Sequence, residues 1–175
     1  MAPNSAWLSA LRRYFCVIFV GNLVWEFAQL PFYTLWKAGS ARETILAVLH
    51  CTGGDLLIAG ATLVASVVLL GTSEWPCARF VPVAGTTLIS GVGVTAYSEH
   101  LNTASGAWAY SDLMPILPET GIGLSPLAQW FVIPILAFTA ARSVISVGHL
   151  DLPIMGITTS RSTPNHLARS DRKMS

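Results

Sequence analysis

Charge is what this sequence has least of. Lys, Arg, Asp and Glu make up 11% of its 175 residues, where soluble domains carry roughly 25%. A conventional charged surface is therefore excluded. The net charge is only +1, so the basic excess that a nucleic-acid partner requires is also missing. There is no Gly-rich phosphate loop, no zinc-ribbon spacing and no internal repeat.

What the chain has instead is long apolar runs. Hydrophobic residues reach 53% and mean hydropathy is +0.57. A membrane-crossing helix needs ~20 mostly apolar residues, and four segments qualify: 14–36, 44–70, 80–98 and 124–147. The predicted fold is an all-α membrane protein, a four-helix transmembrane bundle with a long outer interfacial loop. Residues 1–13 form a short cytoplasmic N-terminus. The Ser-, Thr- and Arg-rich residues 148–175 read as a disordered cytoplasmic tail. The opening "MAPNSAWLSALRR" resembles a signal-peptide n-region, but no small-residue cleavage site closes the run that follows. It is read as leading into an uncleaved helix. Gly53–Gly54 is a candidate bend, and Pro134 a candidate kink.

Cations set the expected orientation. Arg12, Arg13, Arg79, Arg142, Arg161, Arg169, Arg172 and Lys173 flank one side, Lys37 and Arg42 the other. Eight against two place both termini inside. Cys16 and Cys77 then lie toward the inner face and Cys51 toward the outer. No disulfide joins them, and they read as packing residues.

The first span contains "NLVWEFAQLPFY", with Glu26 near mid-membrane. A charged residue there costs ~2.5–3.5 kcal/mol on an insertion scale, while each Phe, Val, Ile or Leu returns ~0.3–0.6. Residues 14–36 hold eleven such residues, so the helix inserts in spite of Glu26. Asn22, Glu26, Gln29 and Tyr33 follow one another at intervals of 4, 3 and 4 residues, which is one narrow helical stripe. Such a stripe faces other helices or a cavity. Both readings stand: interhelical hydrogen bonding, or a lined pocket.

The other spans place polar residues at the same depth. His50, Cys51 and Asp55 lie early in the second, Tyr97, Glu99 and His100 at the end of the third, and Gln129 early in the fourth. In the third span Thr86, Ser90, Gly93, Tyr97 and His100 form one stripe, beside a small-residue packing face of Thr87, Gly91 and Thr95. Three carboxyl groups, Glu26, Asp55 and Glu99, thus share a layer without Lys or Arg. A buried carboxylate with no partner is driven toward its neutral form. Each is therefore protonated, paired with His50 or His100, metal-bound or wet. Imidazole and carboxylate suit Zn, Fe or Mn, so His50, His100, Glu99 and Asp55 are a conceivable metal set. Haem between His50 and His100 is another option. The loop between the last two spans carries Trp108, Tyr110, Pro115 and Pro118 but no Lys or Arg. It reads as an ordered lid over the cluster or as an interfacial anchor.

The stretches "NLVWEFAQLPFYTLW", "HCTGGDLLIAG", "SEH", "WAYSDLMPILPETGIGLSPLAQW" and "FVIP" resemble a group of small, uncharacterised bacterial polytopic membrane proteins. The resemblance spans most of residues 14–136. It implies a bacterial inner-membrane protein and brings no activity and no site residue. Glu99 ahead of a Tyr- and Pro-rich loop and a Trp-bearing helix is also similar to carotenoid-hydratase-type membrane proteins, without assigning that family.

Two functions follow from the residues. The first is a membrane-embedded enzyme working on a lipid or isoprenoid by acid–base chemistry. Glu26 and Asp55 would be acid and base, His50 and Glu99 their orienting partners or metal ligands, and Tyr110 and Gln129 would face the substrate. The second is a binding, assembly or transport component in contact with the lipid bilayer and a membrane partner protein, with cofactor unknown.

Overall fold

A computed structural model describes the backbone of residues 3–150 and the side chains of residues 7–143. The expected tail beyond residue 150 lies outside the described residues. Four long helices dominate: α1 (Pro3–Gln29), α3 (Ala41–Leu70), α4 (Phe80–Ala104) and α5 (Leu124–Leu150). A short helix, α2 (Leu35–Ala38), follows a 3₁₀ turn at Leu30–Phe32. All four long helices are long and apolar enough to cross a membrane. The protein is an all-α, multi-pass membrane bundle.

Local chemistry accounts for the boundaries. Helix α1 begins about ten residues earlier than the sequence suggested, because Ala, Leu and Trp carry helical preference through Arg12 and Arg13. It ends earlier as well: Pro31 has no N–H to continue the ladder, and the chain tightens into the 3₁₀ turn. Helix α3 starts with a reciprocal capping box. Ser40 Oγ accepts from the Glu43 backbone N–H, and the Glu43 carboxylate accepts from the Ser40 backbone N–H. The helix continues through Gly53 and Gly54 to Leu70. At its far end the Arg79 guanidinium donates to the Leu70 carbonyl, satisfying one of the orphaned acceptors there.

The helices are apolar nearly all round, the signature of elements buried in protein on one side and lipid on the other. Val24, Leu57, Val68, Leu69 and Ile89 are exposed, as a lipid-facing surface requires. Lipid is as apolar as leucine, so the bundle relies on close packing and polar contacts. Gly21 packs against Ile133 and Gly91 against Trp130, each so closely that a Cβ would collide. Helix α1 packs mainly against α5, and α3 packs against α4 and α1.

The two ends of the bundle differ in character. One half is filled by Tyr14, Ile18, Leu63, Val83, Ile133 and Phe138. The other half holds the buried amide and carboxyl side chains, Asn22, Glu26, Gln29, Asp55, Glu99 and Gln129.

Candidate functional site

The polar half encloses a cavity of about 260 Å³. All four long helices contribute to it: Glu26 and Gln29 from α1, His50, Gly54 and Asp55 from α3, Thr95 and Glu99 from α4, Gln129 and Trp130 from α5. Leu30, Val48 and Ile58 add apolar wall. The three carboxyl groups are each less than a tenth exposed, at 8% for Glu26, 9% for Asp55 and 7% for Glu99.

A single amide organises two of them. The Gln129 side-chain NH₂ donates to Asn22 Oδ1 at 2.8 Å, Asp55 Oδ2 at 3.0 Å and Glu26 Oε1 at 3.1 Å. The amide has two hydrogens for these three acceptors. The Trp130 indole N–H donates to Asp55 Oδ1 at 3.0 Å, so both Asp55 oxygens are occupied. Gln29 donates to Glu26 Oε1 at 2.8 Å. Its own carbonyl accepts from Ser125 Oγ at 2.8 Å, and Ser125 in turn accepts from the Trp25 indole at 3.2 Å. Helices α1, α3 and α5 are thereby joined by one network.

Glu99 belongs to a different set. Its Oε2 accepts from the Tyr110 hydroxyl, which also accepts from the Gly123 backbone N–H at 3.1 Å. Among the described residues, Glu26 Oε2 and Glu99 Oε1 have no hydrogen-bond partner, and both side chains line the cavity.

The loop from Ser105 to Gly123 is tied over this end. Thr34 N–H donates to the Ala109 carbonyl at 3.0 Å and Ser111 N–H to the Phe32 carbonyl at 2.8 Å. Ser111 Oγ adds a bond to the Pro31 carbonyl. The rings of Tyr33 and Tyr110 stand 5.6 Å apart, and Trp108 forms part of the cavity wall.

Burial and the Glu99 bond raise the ionisation of the Tyr110 phenol above its ordinary value of 10.0. The neutral phenol is thus favoured in the closed loop. That contribution is complete below pH 10 and is lost as pH rises beyond it. Tyr110→Phe is expected to speed backbone hydrogen exchange of residues 107–114 by about tenfold, the equivalent of one hydrogen bond of ~1–1.5 kcal/mol. Unchanged exchange would show that the backbone ties alone hold the loop.

Not every residue expected at this site reaches it. Tyr97 is 65% exposed and does not line the cavity, and His100 is exposed on the outside of α4. The buried face of α4 is Val83, Thr87, Gly91, Thr95 and Glu99, a strict four-residue period. His100 lies one residue beyond Glu99, rotated ~100° off that face. His50 does line the cavity, so the two histidines point to different surroundings. Among the described residues, no three of His, Cys, Asp or Glu group closely enough to hold a metal ion. The metal set of His50, His100, Glu99 and Asp55, and haem between the two histidines, are therefore not assembled in space.

Asn22 sits behind Gln129 and Tyr110 behind Glu99, so neither forms cavity wall. Ser125, Trp130 and Asn102 belong to the site or its supports without having been singled out, while Thr95, expected on a packing face, and Trp108, expected in the loop, line the cavity. Ser125 was legible four residues ahead of Gln129, on the same helical face. Comparison with protein-family models, curated proteins and solved structures finds no match.

Proposed function

We propose that this chain is a multi-pass protein of the bacterial inner membrane, with both termini cytoplasmic, whose outward pocket takes a lipid-like molecule and exchanges protons with it through Glu26 and Glu99. One observation carries this reading. Each of the two glutamates has one oxygen fixed by hydrogen bonds and the other free in the same cavity. A held carboxyl with an unoccupied oxygen is what a proton donor or acceptor requires. Asp55 lacks that freedom, because Trp130 and Gln129 take both its oxygens. It becomes the residue that positions Gln129, and through it Glu26. Apolar wall and a surrounding bilayer favour a substrate with an apolar body.

The second reading, an assembly or binding component, draws on the Gln129 network, which joins three helices. The two readings part on the glutamates. Wild type, Glu26→Gln and Glu99→Gln should be expressed to equal membrane levels and the extracted lipids compared by mass spectrometry. The expected result is a lipid-like species converted by wild type and left unconverted by either variant. Identical lipid profiles at equal protein levels would favour the non-catalytic reading.

A further inference from the structure

We infer that the molecule taken by this pocket carries a primary amine at the end of an apolar body, an inference that rests on the cavity being a ligand pocket. The unused hydrogen-bonding capacity of the wall points to this chemistry. Its titratable acids are Glu26, Asp55 and Glu99, and no Lys or Arg lines it. Glu26 Oε2 and Glu99 Oε1 are free acceptors, as described above.

Thr95 supplies a third. Its neighbours in buried helix faces, Thr62 and Thr87, return their hydroxyls to the carbonyl four residues back at 2.7 and 2.8 Å. Thr95 does not. It is 6% exposed, its Oγ1 has no partner, and it lines the cavity. An unsatisfied buried hydroxyl costs ~1–3 kcal/mol, so a group that engages it is favoured. A primary ammonium offers three N–H donors, one for each of these three oxygens.

Competing head groups fit less well. A phosphate or carboxylate would meet three acids with neither Lys nor Arg beside it, His50 and the unpartnered Trp108 indole N–H being the wall groups able to donate to an anion. An alcohol offers one donor where three acceptors wait. Tyr33, Trp108 and Trp130 also line the cavity, and aromatic side chains attract cations. At ~30 Å³ for each water-sized group, 260 Å³ has room for an amine and a short run of carbons.

The amine also resolves how charge enters a low-dielectric site. A neutral amine arrives from the lipid side, and its nitrogen lone pair takes the proton of a carboxyl group. The O–H bond breaks, its electron pair stays on the carboxylate, and an ion pair forms in place. No net charge crosses the bilayer.

The test uses full-length protein in nanodiscs with n-hexylamine, hexan-1-ol and sodium hexanoate as matched probes, read by calorimetry and tryptophan fluorescence. Gly54 lines the cavity and a Cβ there meets nothing within 4 Å, so Gly54→Leu is the variant chosen to occupy the site and report background partitioning. Hexylamine is expected to bind wild type saturably and about tenfold tighter than hexanol, with hexanoate silent. Glu26→Gln and Glu99→Gln are each expected to weaken it by about tenfold or more, and Gly54→Leu to abolish it. Hexanol or hexanoate binding as tightly as hexylamine would overturn the amine assignment and leave the pocket standing. Wild type indistinguishable from Gly54→Leu with all three probes would overturn both. The probe series on wild type decides the matter even where a glutamate variant folds poorly.

Discussion

Gln129→Leu is expected to destabilise the bundle by roughly 2–5 kcal/mol, since interhelical bonds in membranes contribute ~0.6 and up to ~1.7 kcal/mol each and this change removes three. Leucine is close in volume to glutamine, so packing loss is minor. The cost comes from Asn22, Glu26 and Asp55, which lose the shared amide that joins α1, α3 and α5. Titration of the purified protein with a denaturing detergent, followed by near-UV circular dichroism, measures it. Asp55→Leu combined with Gln129→Leu is expected to cost less than the sum of the two single changes, because the partners are coupled. Trp130→Phe removes one bond to Asp55 and is the milder comparator, at ~1 kcal/mol. A Gln129→Leu protein as stable as wild type would mean that water replaces the amide.

Gly91→Val is the second large effect. A Cβ at Gly91 would stand 2.4 Å from Cζ3 and 2.5 Å from Cε3 of Trp130. The indole has to move, and its N–H then leaves Asp55 Oδ1. Overpacking costs ~1–3 kcal/mol and an unsatisfied buried acceptor another ~1–3, so a loss of about 3 kcal/mol is expected in the same titration. Gly93→Ala is the control: nothing lies within 4 Å of a Cβ there, and alanine is the better helix former by ~1 kcal/mol. Trp130→Leu should recover part of the Gly91→Val loss by clearing the space. Equal stability of Gly91→Val and Gly93→Ala would refute the close approach of α4 to α5.

Much of this arrangement was legible in the residues. Four apolar runs of about the length a bilayer requires gave the four long helices. The stripe of Asn22, Glu26 and Gln29 was legible because polar residues are rare enough in an apolar helix for their period to stand out. Helix α4 was harder. Two adjacent faces both carried small or polar residues, and the one bearing Tyr97 and His100 looked richer in chemistry. The deciding signal was geometric: Thr87, Gly91 and Thr95 repeat every four residues and the next term is Glu99. A face of small residues that ends in an acid lets helices approach and delivers that acid to their junction. Trp130 was not singled out, since a sequence does not show which tryptophan will find a buried carboxylate opposite Gly91. The Tyr110 bond to Glu99 depends on a loop path that no periodicity encodes.

The two halves of the bundle are held together differently. Below the acids the floor is Tyr14, Ile18, Leu63, Val83, Ile133 and Phe138, and the hydroxyls buried among them, on Thr62, Ser66 and Thr87, turn back to carbonyls of their own helices. It closes that end by packing, whereas the polar half is tied across helices by Gln129 and its acceptors.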